Sequence, residues 1–277
     1  MSIALELCDA AKEANADAVK FQTFKTELIL TKNTGLADYQ KKNFEDAKTQ
    51  FQMIKELELS YEDFSIIKKH CDKIGIRFLS TPDEEQSLNF LLDVLKMDII
   101  KIGSGEVTNL PFLENIGKKK LPVILSTGMS NLSEVATAYE LLQKSGASDI
   151  ALLHCTTNYP CPMEEVNLNA ILTLKNAFKT NVGYSDHTIG TEVSIAAAAM
   201  GATIIEKHFT LDKNMEGPDH FASLEPEELK SMIKAIRNIQ LAMGDGKKRP
   251  NKSELKIKTF IQKYIVARSK ITKGDVF

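Results

Sequence analysis

Asn181-Val182-Gly183-Tyr184-Ser185-Asp186-His187 and Thr203-Ile204-Ile205-Glu206-Lys207-His208 are two strand-like runs, and each closes on a histidine. Between them, Gly190 and Gly201 bracket an Ala-rich stretch of helical length. Strand, helix and strand at this spacing predict a βαβ unit, whose two parallel strands lie side by side. Such a unit brings the C-terminal ends of its strands together, so His187 and His208 meet at one edge of a parallel sheet. Two imidazoles there can share a transition metal. The alternative is a pair of half-buried histidines bonded to backbone.

The same rhythm runs outward in both directions. β-branched apolar runs at 18–23, 76–81, 97–103, 122–127, 150–156, 181–186 and 202–208 alternate with amphipathic helical stretches. A polar insertion, 31–55, lengthens the first interval. Ser60 with Asp63 reads as a capping box, Gly75 and Gly146 as helix stops, and Pro226 as the first turn of a last amphipathic helix. Strands alternating with helices imply a parallel sheet covered by helices. Seven strands fit a (β/α)8-type TIM barrel with one strand missing, against an open doubly wound sheet as the competing architecture. The helical pattern at 2–14 favours the barrel, because the chain then starts inside its first repeat. The expected division is a barrel at 1–243, a polar Gly- and Lys-rich linker at 244–264, and the opening hairpin of a further small domain at 265–277.

The chain has 277 residues, is 43% hydrophobic and carries a formal net charge of −2, so no basic field favours nucleic acid. Cys8, Cys71, Cys155 and Cys161 form no CxxC pair and argue against a disulfide framework. No apolar run approaches membrane-spanning length, and the N-terminus lacks a signal-peptide pattern. The expectation is a cytoplasmic enzyme with no nucleic-acid or membrane partner.

Barrel enzymes place their working groups at the C-terminal ends of strands. Lys20 with Gln22, Thr81, Lys101 with Ser104 and Glu106, Ser126, Thr156 with Thr157 and Tyr159, Ser185 with His187, and Glu206 with His208 all occupy such ends. An inward Lys20 needs an anionic partner, either an internal Glu or a bound anion. Lys101, at the matching place on another strand, favours the anion. Gly103-Ser104-Gly105 and Ser126-Thr127-Gly128 add hydroxyls and close backbone approach, which suit a phosphorylated or carboxylated substrate. Two histidines leave an octahedral metal about four open positions, the mark of a Lewis-acid role. His154 reads as packing, His70 as surface, and Asp219 as a better site candidate than His220.

These motifs resemble the sialic acid synthase family, whose members make N-acetylneuraminate, legionaminate and pseudaminate. The resemblance is carried by 18–24 (AVKFQTF), 101–106 (KIGSGE), 125–129 (LSTGM), 183–188 (GYSDHT) and 206–210 (EKHFT), with 217–220 (GPDH) and 222–226 (ASLEP) in support. It implies a TIM barrel followed by an antifreeze-like (SAF) domain that covers the partner's site in a homodimer. It implies condensation of phosphoenolpyruvate with an N-acetylated hexose such as N-acetylmannosamine, giving a nonulosonic acid and phosphate. By that resemblance Lys20, Thr81, Lys101, Ser104, Ser126, Ser185 and Thr157 surround phosphoenolpyruvate. Gln22, Tyr159 and Asp219 meet the sugar, and Glu106 serves acid–base duty with Lys20 and Lys101 beside it. His187 and His208 bind Mn²⁺, with Mg²⁺ or Co²⁺ as alternatives. Alternatives are another phosphoenolpyruvate-dependent 3-deoxy sugar acid synthase, or a non-catalytic fragment that only binds ligand.

The chain departs from that family at three places. A first strand with a Glu and an Asn-His-Asn-Gly turn is not found. The covering domain is absent beyond its first residues. Thr157 stands where some members carry Asn. The first two departures predict weak or no turnover; the third bears more on subgroup than on activity.

Overall fold

The computed structural model describes residues 1–32, 34–35 and 49–276. The alternating pattern folds as parallel strands with helices outside them. The strands are β1 (Ala18–Thr23), β2 (Arg77–Pro82), β3 (Ile100–Ile102), β4 (Val123–Ser126), β5 (Ile150–Cys155), β6 (Val182–Asp186) and β7 (Ile205–Lys207). β1 pairs with β2, and β3 to β7 form a second ladder in chain order, all parallel. This is an α/β barrel of the TIM type, with seven strands among the described residues. β3 and β7 are three residues long, shorter than the runs at 97–103 and 202–208 from which they were expected. At the first, the Met97 N–H turns to the Leu91 carbonyl; at the second, Thr203 and Ile204 still bond to Val182 and Tyr184 of β6, and the His208 carbonyl accepts from Leu224 N.

Alternation along each strand sorts its side chains. Ile100, Ile102, Val123, Leu125, Ile150, Leu152, Val182 and Tyr184 face outward into one buried cluster with the helices. Each such side chain stabilises the fold by about 1.5–3 kcal/mol. The intervening residues Leu79, Lys101, Ile124 and Leu153 face inward and line a cavity of about 550 Å³. That cavity runs between β1 and β7, which form no ladder with each other among the described residues.

The helix boundaries follow local chemistry. The helix Tyr61–Ile74 opens with a Ser60–Asp63 capping box and ends at Gly75, whose φ of 72° a side chain would disfavour. The helix Leu132–Ser145 repeats the device with Asn131, Glu134 and Gly146. The helix Pro226–Met243 carries two acids in its first turn. His70 departs from its surface reading: it is half-buried and 2.7 Å from Asp9. Part of the 31–55 insertion lies outside the described residues, and the helix Gln50–Leu57 begins within it. Met1–Ala242 and Met243–Phe277 are separate compact units. The second holds the helix Lys252–Ile261, inside the stretch expected as linker, and residues 262–276 contain no strand. No helix among the described residues is long and apolar enough to cross a membrane.

Candidate active site

The C-terminal strand ends carry the expected cluster. Lys101, on β3, is buried, and its Nζ donates to Ser126 Oγ on β4 at 2.7 Å and to the Ile102 carbonyl at 3.1 Å. Its third direction faces Glu206 on β7, with Nζ 3.6 Å from Oε1. Lys20, on β1, lies 4.0 Å from Oε2 of the same carboxylate. Ser185, on β6, donates to Glu206 Oε1 at 2.8 Å. Burial pushes the Glu206 carboxyl up, but Lys101, Lys20 and the Ser185 hydroxyl outweigh it and hold the group at about 2. Burial pulls the Lys101 ammonium down, and Glu206 opposes that pull. The internal Glu weighed from sequence as a partner for Lys20 is therefore present. Two lysines share one carboxylate, which leaves about one unit of positive charge in the cavity for an anion.

The Gly-Ser turns form a second wall. The Gly128 N–H donates to Ser104 Oγ at 2.9 Å. A Cβ on Gly128 would collide with the Thr157 and Ser104 hydroxyls and press on Cys155 Sγ. Thr157 Oγ1 is buried with no hydrogen-bond partner, an orphan donor aimed at this cradle. Thr81 is buried on β2. Glu106 follows β3 and accepts from Asn109 Nδ2 at 2.7 Å. Gln22 is exposed at the end of β1 and lines the cavity.

His187 and His208 do meet, with ring centroids 5.2 Å apart. The Tyr159 ring lies 4.2 Å from His187 and 5.4 Å, edge-on, from His208. His187 Nδ1 is 2.7 Å from the Thr156 carbonyl, so Nδ1 carries the proton and Nε2 keeps its lone pair. Burial holds His187 below the usual imidazole range. Burial, His187 and Lys20 hold His208 at about 3. Both rings are neutral at pH 7, as metal ligation requires. Asp219 Oδ2 is 3.8 Å from His208 Nδ1, and burial raises its carboxyl to about 6. Among the described residues no three His, Cys, Asp or Glu side chains cluster as a closed metal cage. Two neutral imidazoles fit an open site, whose other positions fall to water and substrate, and not a structural one.

The remaining histidines sit elsewhere. His154 Nε2 is 2.8 Å from the Val166 carbonyl and packs against Tyr184. His220 pairs with Thr210 Oγ1 at 2.7 Å. Sequence reasoning passed over two features. Asp186, on the outer face, is fully buried and pairs with Lys207 Nζ at 3.1 Å. It also accepts from Thr188 N, Thr188 Oγ1 and Ser194 Oγ. Asp83, one residue beyond β2, is raised to about 7, chiefly by burial. An Asp beside His187 and a Lys beside His208 were the only sequence sign of the pair.

The NeuB family profile matches residues 7–248. An N,N'-diacetyllegionaminic acid synthase of Campylobacter jejuni is 50% identical over 279 residues, covering 100% of this chain and 83% of that protein. One from Legionella pneumophila is 46% identical over 278 residues, covering 99% and 78%. The crystal structure of an N-acetylneuraminic acid (sialic acid) synthetase from Leptospira borgpetersenii, in complex with citrate, superposes with a TM-score of 0.82 at 34% identity, covering 94% and 85%. A truncated 3-deoxy-D-arabino-heptulosonate 7-phosphate synthase from Thermotoga maritima, 17% identical with a TM-score of 0.66 and coverage of 88% and 83%, shares the fold alone. The chain belongs to the NeuB family and is a synthase-like enzyme.

Proposed function

We propose that this chain condenses phosphoenolpyruvate with an N-acetylated hexose, forming a nonulosonic acid and releasing phosphate. The observation that carries the reading is the convergence of Lys20, Lys101 and Ser185 on one carboxylate, Glu206, two residues from His208, with Ser126 accepting from Lys101 beside it. Phosphoenolpyruvate carries roughly three negative charges. Two ammonium groups, a carboxylate and a divalent ion supply roughly three positive ones. The names of the Campylobacter and Legionella relatives point to a product with two N-acetyl groups, which favours a diacetamido hexose over N-acetylmannosamine.

Each group then has a task. Lys20, Thr81, Lys101, Ser104, Ser126, Thr157 and Ser185 cradle the anion. Gln22, Tyr159 and Asp219 line the approach of the sugar. A divalent ion, Mn²⁺ by expectation, held by His187 and His208 would polarise the open-chain aldehyde. The electron pair of the enol double bond forms the new carbon–carbon bond, and the aldehyde oxygen takes a proton to become hydroxyl. Positive character is left on the former enol carbon, where water adds and gives a proton to Glu106. The carbon–oxygen bond to phosphate then breaks with its electron pair going to the phosphate, the ketone forms as the added hydroxyl passes its remaining proton to the departing phosphate, and the proton taken up by Glu106 balances the one gained by the aldehyde oxygen. The lysines hold the phosphate oxygens through that step.

The test is phosphate release by the chain with phosphoenolpyruvate, Mn²⁺ and either N-acetylmannosamine or a diacetamido hexose. Phosphorylated aldoses serve as the comparison. Slow release with the unphosphorylated amino sugars, and none with phosphorylated aldoses, is the expected result. Release only with phosphorylated aldoses, or ligand binding with no turnover on any sugar, overturns the reading.

A further inference from the structure

We propose that Asp83 is a sugar-binding residue of this site, whose carboxylate accepts hydrogen bonds from hydroxyl or amide N–H groups of the hexose. The proposal rests on the synthase reading above and adds a residue that it does not use.

Position comes first. The Asp83 N–H donates to the Thr23 carbonyl at 3.2 Å, which extends the β1–β2 ladder by one residue and fixes where the side chain starts. Asp83 has the same parity as Leu79, which lines the cavity, and as buried Thr81. It therefore stands on the inner face, about 6–7 Å closer to the barrel mouth than Thr81. The anion cradle lies at the depth of Thr81, Lys101 and Ser126, so Asp83 is one layer above it. A sugar aldehyde must stand in that layer to meet the enol carbon.

The structural uses of an Asp at this place are already taken. The following helix, Glu85–Asn89, is capped by Glu84, which accepts from Ser87 N at 2.9 Å and also from Gln86 N. Among the described residues the Asp83 carboxyl makes no hydrogen bond or ion pair. It is half-buried and keeps its acceptor capacity for whatever enters the mouth.

Charge decides what that is. The groups facing Asp83 are Lys20 on β1, Lys101 on β3, Glu106 in the turn after β3, and its own neighbour Glu84. Burial raises its carboxyl to about 7, Glu106 adds to the rise, and the two lysines oppose it. A trianion is repelled by the ionised carboxylate, while a neutral polyol with N–H and O–H donors is drawn to it. A sugar without a donor at that point would leave a buried acceptor unpaired, the situation in which enzymes discriminate most strongly.

The experiment uses the full chain with Asp83→Asn, which keeps the shape, and Asp83→Leu, which removes the acceptor. Sugar KM and kcat are measured with N-acetylmannosamine and a diacetamido hexose, and phosphoenolpyruvate Kd by calorimetry. D83L is expected to raise the sugar KM at least tenfold, with phosphoenolpyruvate Kd unchanged or lower than in wild type. Wild-type sugar affinity is expected to rise with pH through about 7, as the accepting carboxylate forms, and to be flat in D83N. Three results overturn the proposal: an unchanged sugar KM in D83L, an equal loss of phosphoenolpyruvate affinity, or sugar affinity that falls as pH rises. Saturation-transfer NMR of the sugars alone separates this proposal from the synthase reading. Asp83-dependent sugar binding without turnover keeps the one and removes the other, and no sugar binding removes both.

Discussion

The ammonium of Lys101 stands 3.6 Å from the carboxylate of Glu206, although 105 positions of sequence separate them. Lys101 has no other acid within ion-pair distance among the described residues, and Lys20 leans on the same carboxylate from 4.0 Å. Glu206 thus occupies the role that an anionic substrate would otherwise fill alone. Glu206→Gln keeps the shape and removes one negative charge from the cavity. Phosphoenolpyruvate is expected to bind roughly tenfold more tightly to this variant. Turnover is expected to fall, because the Lys101 and Lys20 heads lose the acceptor that aims them. Calorimetry together with phosphate release reads both effects, and weaker anion binding would contradict the charge argument.

Gly128 sits where three side chains close on backbone. A methyl group there meets the hydroxyls of Thr157 and Ser104, and Cys155 Sγ stands just behind. Its φ is not in the left-handed region, so the objection to a side chain is space and not backbone strain. Gly128→Ala is expected to cost about 1–3 kcal/mol of stability by overpacking. It should also displace two hydroxyls of the anion cradle and lower phosphoenolpyruvate affinity at least tenfold. Thermal melting and calorimetry test the two halves separately. Unchanged anion affinity in a destabilised protein would show that the cradle serves packing alone.

Much of this arrangement was legible before the fold was. Ala18–Thr23 is a strand over the residues its pattern marked, and the two histidines converge because parallel neighbours in a βαβ unit must align their C-terminal ends. The polar residues at the strand ends, Lys20 and Lys101 among them, were also legible as a cluster. What that cluster does not carry is partnership across the barrel. Lys20 and Glu206 belong to the first and last strands, and no local pattern says which acid meets which lysine. The short β3 and β7 were over-extended for a related reason. Apolar composition extends beyond the regular strands, whereas Met97 bonds back to Leu91 and the His208 carbonyl accepts from Leu224. His70 read as surface because its Asp9 partner lies on a helix 61 positions away.

The outer face of the histidine-bearing strands holds a pair that tolerates no half-measures. Lys207 and Asp186 expose 1% and 0% of their side chains, and Lys207 also donates to the Thr188 carbonyl. Lys207→Met leaves Asp186 as an uncompensated buried charge, with Thr188 and Ser194 as its remaining donors among the described residues. The expected cost is about 3–5 kcal/mol. The double variant Lys207→Met with Asp186→Leu should recover part of that loss, because it removes the charge as well as its partner. Denaturant unfolding of the two variants checks the order, and equal stability of single and double variants would refute it.

Glu58 fastens the loop after β1 to the helices beyond it. Its carboxylate accepts from Thr26 N at 2.9 Å and Thr26 Oγ1 at 2.8 Å, and pairs with Lys25 at 3.1 Å and Lys55 at 3.0 Å. Burial works against ionisation, but the Thr26 bonds and the lysines outweigh it and hold the group at about 2, below the usual carboxylate value. A depressed carboxyl stabilises the fold fully above its unfolded value of about 4.3 and loses that contribution as pH falls toward about 2. Wild type is therefore expected to lose stability through that window by more than Glu58→Gln does. At pH 7 the variant should be less stable by about 1–3 kcal/mol, the range for charged hydrogen bonds. Denaturant midpoints at pH 7, 4 and 3 measure the difference. A gap between the two proteins that stays constant down to pH 3 would mean that Glu58 holds the loop by shape and not by charge.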